Sequence, residues 1–218
     1  MRRPESVDGV LGLFGGTFDP VHVGHLRTAY ELRVRLCLDR VHFIPAAIPP
    51  HRSTPAAPTA LRLRMLEAAL ANERHAILDR REIEREGPSY SIDTAESLRK
   101  EYPRHALCLL LGMDAFLGLP TWRDWERLLD VVNIVVARRP GASLPETGAL
   151  GRLLEAHRID PAPARRWAPA GQIVVQDVTQ LEVSATELRN SIRDGVKPRY
   201  LVPEAVLDII TETGCYAE

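Results

Sequence analysis

Residues 15–25 read GGTFDPVHVGH. They follow a short apolar run, VLGLF, and precede LRTAYELRVRLCL, in which apolar residues recur at helical spacing. This order predicts a buried strand, a tight turn and a helix. Such turns often bind phosphate in α/β proteins, because the start of a helix offers unpaired N–H groups and the positive end of the helix dipole. The segment therefore predicts an α/β fold with an anion site at its first turn.

Further apolar runs recur along the chain, and amphipathic segments separate them. The runs are residues 41–46, 75–79, 106–112, 131–139 and 172–176, and the helical candidates are residues 26–38, 59–73, 91–101 and 124–129. Strands that alternate with helices, and that are apolar on both faces, predict a doubly wound parallel sheet. Residues 200–214 predict a last amphipathic helix that begins near Pro203 and covers the sheet. Without a repeat or a firm boundary, we expect a single domain over residues 1–218.

Composition and charge exclude several classes of protein. The chain has 28 basic and 29 acidic residues, a net charge of −1, so we expect no nucleic acid partner. The cysteines at 37, 108 and 215 lack the spacing of a zinc site or a disulfide framework, which favours a reducing compartment. No run approaches the ~18 apolar residues of a membrane span, and the start is a poor signal peptide. We expect a cytoplasmic protein with no membrane partner; the oligomeric state is not indicated.

The opening turn lacks the two common phosphate-loop signatures. Without GxxxxGK[ST] or GxGxxG, a P-loop kinase and a nicotinamide dehydrogenase are disfavoured. His22 and His25 stand in place of the usual lysine, and an imidazole N–H at a helix start can donate to the same anion as the backbone amides. The alternative is a tight turn that Asp19 caps, with two histidines on the surface. The spacing HxGH after two glycines favours the phosphate site.

Two segments at opposite ends of the chain resemble one superfamily. GGTFDPVHVGHL resembles the first signature of the HxGH nucleotidyltransferases, which transfer a nucleotidyl group onto a phosphate, and VSATELR (183–189) resembles their second signature, usually ISSTxIR. The resemblance implies a Rossmann-like nucleotidyltransferase fold, with the second phosphate motif and helices in about residues 180–218. Ala185 stands where the family usually has a second serine. The spacing of Ser184 and Glu187 also predicts a capping box at a helix start.

Four segments between the signatures resemble one branch of this superfamily, the bacterial nicotinate mononucleotide adenylyltransferases. They are IPPHR (48–52), GPSYSIDT (87–94), GMDAFLGLPTWRDWERLL (112–129) and VARRPG (136–141). The resemblance implies adenylyl transfer from ATP to nicotinate mononucleotide, which yields nicotinate adenine dinucleotide and pyrophosphate in NAD biosynthesis. We expect the substrate phosphate to attack in line, without a covalent enzyme intermediate. Mg²⁺ is expected on the ATP phosphates, because the sequence shows no carboxylate cluster that could cage it.

The resemblance also assigns roles to residues. The implied catalytic residues are His22, His25 and Arg189. The implied ATP-binding residues are Gly15, Gly16, Thr17, Phe18, Gly24, Gly112, Asp114, Arg138, Ser184 and Thr186. The implied mononucleotide-binding residues are Asp19, His51, Arg52, Ser91, Trp122 and Arg123, of which Trp122 stacks on the pyridine ring while main-chain amides near Ser91 and Arg123 face its carboxylate.

Several of these residues also have a purely structural interpretation. Asp114 follows an apolar strand, where it can accept bonds from ribose hydroxyls or cap the next helix. Trp125, three residues after Trp122, is expected to pack a helix onto the sheet. Arg138 is expected to border the adenosine of ATP. The alternative is that Arg138 forms an ion pair on a solvated surface. His51 and Arg52 fit either a phosphate contact or a solvated loop.

Two other functions remain open from the sequence. The first is the same transfer with the amide substrate, nicotinamide mononucleotide, since one sequence does not separate acid from amide recognition. The second is a non-catalytic nucleotide sensor of the same fold. Loss of an HxGH histidine or of the arginine in the second signature would favour the sensor. Both histidines and Arg189 are present, and only Ala185 departs from the pattern.

Overall fold

The computed structural model describes residues 7–47, 54–139, 141–161, 167–179 and 181–217, and these form one seven-stranded sheet with helices on both faces. The strands are β1 (Val10–Gly16), β2 (Arg40–Pro45), β3 (Ala76–Leu78), β4 (Ala106–Gly112), β5 (Asn133–Arg138), β6 (Arg158–Ile159) and β7 (Ile173–Asp177). Their order is β3-β2-β1-β4-β5-β7-β6, and every pair is parallel. The doubly wound parallel sheet predicted from the apolar runs is confirmed.

Most helices connect successive strands, and the last two follow β7 in the C-terminal part of the chain. They are α1 (Val23–Arg35), α2 (Thr59–Leu70), α3 (Arg81–Glu84), α4 (Ser91–Glu101), α5 (Met113–Leu117), α6 (Leu128–Val131), α7 (Gly148–His157), α8 (Ala185–Arg193) and α9 (Glu204–Thr213), with 3₁₀ turns at Leu119–Thr121 and Trp125–Arg127. Successive strand residues enter opposite core layers, as the two-residue period of a strand requires. Leu13 joins one buried cluster and Phe14 the other. Among the described residues, no helix is long and apolar enough to cross a bilayer.

Most element predictions hold, and the differences have physical causes. All six predicted strands are present, whereas β6 is a two-residue edge strand without an apolar run that could have indicated it. The helix predicted over residues 124–129 is instead a 3₁₀ turn followed by the short α6, and Asp124 before it has a left-handed φ of 50°. The last helix starts directly after Pro203, as its sequence predicts.

The sheet opens at the carboxyl ends of β1 and β4. Pairing between these strands ends at Leu13 with Leu109, whereas β1 stays paired with β2 as far as Gly16, and β4 with β5 as far as Gly112. The two central strands thus separate where the winding of the chain reverses. In doubly wound sheets this switch point is the usual place for a ligand.

Candidate active site

The first turn connects β1 to α1 at the opening between the central strands. A Cβ added at Gly15 or at Gly112 would meet no atom within 4 Å, so both backbones border open space where a phosphate can approach. Phe18 has a left-handed φ of 49°, and its ring is 1% exposed. The Phe18 side chain is therefore part of the core and is not available to a ligand. The Asp19–Pro20 peptide bond is cis.

The two histidines of the first motif stack on each other at the start of α1. Their ring centroids are 3.7 Å apart, with an interplanar angle of 26°. Two imidazolium ions at this distance would repel each other strongly. His22 is 6% exposed, and burial lowers its pKa to about 4. His22 is therefore neutral near pH 7.

The surroundings of the rings favour one tautomer. Nδ1 of His25 accepts the backbone N–H of His22 at 3.4 Å, so a neutral His25 carries its proton on Nε2. Nδ1 of His22 lies against Gly24, where an added Cβ would approach it to 3.0 Å. Nδ1 of His22 lies at the helix start, where the free backbone N–H groups carry partial positive charge. A lone pair on Nδ1 is more favourable there than an N–H group, which favours the proton of His22 on Nε2. Gly24 is thus needed for the packing of His22.

The second motif meets the first turn through Arg189. Its Nη1 donates to the carbonyl oxygen of Asp19 at 2.8 Å, and its Nη2 donates to Oγ1 of Thr186 at 3.2 Å. Residues from the two ends of the chain therefore form one corner. Ser184 is the N-cap residue of α8, but its side chain makes no capping hydrogen bond. The predicted capping box with Glu187 is wrong, and the Ser184 hydroxyl does not serve the helix.

Asp19 is an internal anchor of this corner. The carboxylate is 6% exposed, and it accepts the N–H of Ala56 at 2.7 Å and the N–H of Ala57 at 3.0 Å. These bonds fix the segment that follows IPPHR. His51 and Arg52 of IPPHR lie outside the described residues. A contact between Asp19 and the mononucleotide, which the resemblance implies, stays a prediction.

Arg62 is a structural support that the sequence analysis missed. It is 1% exposed beneath the first turn, and its guanidinium donates to the carbonyl oxygen of Thr17 at 2.6 Å and to Oγ1 of Thr59 at 3.1 Å. Burial lowers the pKa of this guanidinium, and the carboxylate of Asp19 opposes that shift. An arginine three residues before the buried Met65 was the available signal, because this spacing puts both on one helix face.

Glu31 of α1 is a second support that was missed. Its side chain is buried, and Oε2 accepts the N–H of Thr179 at 2.8 Å, just after β7. Arg27 donates to Oε1 at 2.6 Å. Burial alone would raise the pKa of Glu31, but these hydrogen bonds outweigh burial and lower it. Glu31 thus holds the segment leading to the second motif against the helix that carries the first.

The residues predicted for the pyridine end come together in part. Ser91 begins α4, and the guanidinium of Arg123 lies 4.8 Å from the ring centroid of Tyr90 directly before it. Trp122 and Trp125 are both half-buried against the core layer on this face of the sheet. The packing role expected of Trp125 is confirmed. Stacking of Trp122 on a pyridine ring stays a prediction.

A buried carboxyl group organises the loop before Ser91. Glu82 is 8% exposed and accepts the hydroxyl of Thr94 at 2.7 Å. Burial raises the pKa of Glu82, and hydrogen bonds from Thr94 and Ser89 oppose the shift. The Ser89 hydroxyl accepts the N–H of Ala47 at 3.1 Å, at the start of the IPPHR loop. Glu82 therefore connects both segments that are predicted to bind the mononucleotide.

Two predicted ATP contacts lie at the same edge of the sheet. Asp114 is exposed in the first turn of α5, and the N-cap residue of that helix is Gly112. The alternative role of Asp114 as the cap is wrong. Arg138 at the end of β5 donates to both carboxylate oxygens of Asp177, at 2.7 and 3.2 Å, and this bond raises the pKa of Arg138.

The donors at this edge suit an anion more than a bare cation. The two motifs offer imidazole, guanidinium and helix N–H groups, whereas Mg²⁺ prefers oxygen ligands. Among the described residues, no group of three or more histidine, cysteine or acidic side chains could hold a metal ion.

The strand-turn-helix with HxGH and the arginine-bearing second motif define a nucleotidyltransferase site. Residues 13–191 match the cytidylyltransferase-like family. A probable nicotinate-nucleotide adenylyltransferase of Methylococcus capsulatus is 43% identical over 210 residues, 96% of this chain and 100% of the relative. One of Halorhodospira halophila is 45% identical over 219 residues, 99% of this chain and 98% of the relative. The chain belongs to the cytidylyltransferase-like family and, within it, to the nicotinate-nucleotide adenylyltransferases.

Solved structures share the fold at low sequence identity. The nicotinic acid mononucleotide adenylyltransferase of Plasmodium falciparum, complexed with NaAD, superposes with a TM-score of 0.73 at 13% identity. The match covers 96% of this chain and 98% of the other. The Rossmann-like nucleotidyltransferase architecture implied by the two motifs is therefore confirmed.

Proposed function

We propose that this chain transfers the adenylyl group of ATP to nicotinate mononucleotide, forming nicotinate adenine dinucleotide and pyrophosphate in NAD biosynthesis. The observation that carries the proposal is the junction of the two motifs, where Arg189 donates to the carbonyl oxygen of Asp19 at 2.8 Å. A triphosphate bound across this junction would contact the start of α1 and the start of α8 together.

The reaction needs alignment and charge cancellation. The 5′-phosphate oxygen of the mononucleotide forms a bond to the α-phosphorus of ATP, the bond from that phosphorus to the bridging oxygen breaks, and pyrophosphate leaves with the electron pair. Because the nucleophile is already an anion near pH 7, no protein base or covalent intermediate is required. The protein must hold two polyanions in line and stabilise the charge that develops between them.

The first motif offers two imidazole donors for this purpose, of which His22 is neutral near pH 7. We propose that the Nε2–H groups of His22 and His25 donate to the α-phosphate and to the oxygens that gain charge in the transition state. Arg189, with the hydroxyls of Ser184 and Thr186, would hold the β- and γ-phosphates. Gly15, Gly16, Thr17 and the main chain of Phe18 would border the triphosphate, while Asp114 and Arg138 would border the nucleoside.

The pyridine ring of the mononucleotide would bind away from the triphosphate, near Trp122 and the start of α4. We propose that Trp122 stacks on the ring and that main-chain N–H groups near Ser91 and Arg123 face its carboxylate. The 4.8 Å contact of Arg123 with Tyr90 supports this, because it joins the two segments. His51 and Arg52 would approach the mononucleotide phosphate, beside the anchored residues Ala56 and Ala57.

Mg²⁺ enters this account as part of the substrate MgATP, bound by phosphate oxygens. We also propose a cytoplasmic location, which the three free cysteines support, since disulfides are rare in that compartment.

The test compares the acid and amide mononucleotides with MgATP. Pyrophosphate release and the dinucleotide product are measured for each substrate as kcat/KM. The proposal predicts that the protein forms dinucleotide and pyrophosphate from MgATP, and that kcat/KM is clearly higher for nicotinate mononucleotide than for nicotinamide mononucleotide. Equal kcat/KM values would overturn the nicotinate assignment, and ATP binding without pyrophosphate release would instead favour a nucleotide sensor.

A further inference from the structure

Tyr216, near the C-terminus, reaches the first motif. Its hydroxyl donates to Oδ1 of Asp19 at 2.7 Å, and its side chain is 8% exposed. The backbone of Tyr216 has a left-handed φ of 70°, shortly after Gly214 ends α9. Burial and the Asp19 carboxylate raise the pKa of Tyr216, so the phenol keeps its proton near pH 7. The terminal segment thus supplies a hydrogen-bond donor to the turn after β1.

This bond completes a set of three neutral donors around Asp19. The other two are the N–H groups of Ala56 and Ala57. Arg189, by contrast, lies 3.9 Å from Oδ2 and bonds the carbonyl oxygen of Asp19 and the hydroxyl of Thr186. The carboxylate is therefore satisfied mainly by neutral groups, although a guanidinium is close enough to form an ion pair with it.

We propose that Tyr216 is a positioning residue that keeps Arg189 available for the polyphosphate by occupying Oδ1 of Asp19. An arginine has five N–H donors, and two of its bonds here go to neutral oxygens. Its charge remains available to an anionic ligand as long as the nearby carboxylate is satisfied elsewhere. This inference rests on the proposed function and identifies a residue outside both motifs that serves the same site.

Loss of the Tyr216 hydroxyl has a definite consequence in this arrangement. Oδ1 of the buried Asp19 would lose one of its two donors and keep only the N–H of Ala57 at 3.0 Å. A buried carboxylate that loses a hydrogen bond is left less well satisfied, at a cost in free energy. The nearest charged donor is Arg189, which would move the short distance into a direct ion pair with Asp19. The polyphosphate would then compete with that carboxylate for the guanidinium.

The experiment measures MgATP affinity by calorimetry and steady-state kinetics for Tyr216→Phe. We expect the Kd and KM for MgATP to rise about fivefold, the equivalent of one hydrogen bond of about 1 kcal/mol, with little change in the KM of the mononucleotide. Tyr200→Phe is the matched control, because Tyr200 is 88% exposed and its substitution should leave both constants unchanged. Circular dichroism confirms that each variant is folded at the assay temperature.

A second comparison separates positioning from general support. In the Arg189→Ala background, Tyr216→Phe should have no further effect on MgATP affinity, because there is no guanidinium to divert. Replacement of Tyr216 by p-aminophenylalanine keeps a neutral N–H donor at the same place and should restore wild-type affinity. This variant tests the proposal even where the phenylalanine variant does not fold.

Two results would overturn the inference. One is an affinity for MgATP in Tyr216→Phe equal to that of Tyr200→Phe. The other is an equal loss of affinity with and without Arg189, which would indicate general destabilisation. Because calorimetry with MgATP needs no second substrate, failure of this inference is distinguishable from failure of the proposed reaction, which is read from the dinucleotide product.

Discussion

At the scale of single residues, the proposed chemistry uses two stacked imidazoles at one helix start, of which His22 is held neutral by burial. Stacking at 3.7 Å and the burial of His22 both oppose a second positive charge. Neutral Nε2–H groups can donate to phosphate without exchanging a proton with it. The spacing HxGH is visible in the sequence, but the protonation state depends on burial, which the spacing does not reveal.

Replacement of His25 tests the donor role most simply. In His25→Ala, we expect kcat to fall on the order of 10²-fold or more, as after loss of one preorganised donor at a comparable charge site, with the fold retained. The measurement is the rate of pyrophosphate release at saturating substrates, together with the melting temperature. His75→Ala is the control, because His75 is exposed, away from both motifs, and its Nδ1 lies 3.1 Å from the carbonyl oxygen of Asp39. Near-normal turnover of folded His25→Ala would contradict the role.

The buried His22 predicts a specific loss of stability in acid. The unfolded chain gains a proton at this residue below its ordinary pKa of 6.5, whereas the folded chain does so only near pH 4. The stability from neutral His22 is thus complete above pH 6.5 and is lost as the pH falls toward 4. The loss is at most about 1.4 kcal/mol per pH unit.

The measurement is urea unfolding at several pH values across this window for wild type and His22→Gln. We expect the wild-type free energy of unfolding to fall more steeply with acid than that of the variant, which lacks the titrating group. Parallel curves for the two proteins would show that His22 gains its proton at the same pH in the folded and the unfolded chain, which would contradict the effect of burial.

At the scale of elements, buried polar side chains hold the segments around the opening. Arg62 of α2 supports the first turn, Glu31 of α1 fixes the segment after β7, and Glu82 of α3 organises the loop before α4. Arg62 and Glu31 join parts of the chain that are distant in sequence, whereas Glu82 acts on the loop that follows it. The helices therefore position the site as well as covering the sheet.

Arg62 offers a test of this support. Arg62→Lys should lower the free energy of unfolding by about 1–3 kcal/mol, because lysine cannot reproduce the planar fork that bonds Thr17 and Thr59. Arg64→Lys is the control on the same helix, since Arg64 is exposed and its ion pair with Glu212 contributes at most about 1 kcal/mol. Urea unfolding of both variants checks the difference. Equal stability of the two would contradict the support assigned to Arg62.

The elements that the sequence predicts best are those with strong local patterns. The apolar runs of β1, β4 and β5 indicate buried parallel strands, and Pro203 marks the start of α9. The edge strand β6 has no such pattern. The capping box at Ser184 failed because the spacing of two residue types does not determine where a hydroxyl points. Supports such as Arg62 and Tyr216 depend on tertiary contacts, which no local pattern contains.

At the scale of the whole molecule, the fold brings the two ends of the chain to one opening. The first motif follows β1 near the centre of the sheet and the second follows β7, and Leu32 of α1 and Leu188 of α8 pack in the same buried cluster. The backbone N–H of Val23 donates to the carbonyl oxygen of Leu201 at 2.9 Å, which adds a further link between the start of α1 and the C-terminal part. A single-domain organisation over residues 1–218 stays a prediction.

The central claim is that one triphosphate is held by both motifs at once. The most direct measurement is a crystal structure with Mg²⁺ and a non-hydrolysable ATP analogue. We predict oxygens of the same triphosphate within about 3 Å of Nε2 of His25 and of the guanidinium of Arg189. A triphosphate that contacts only one of these two groups, with the other facing solvent, would contradict the account.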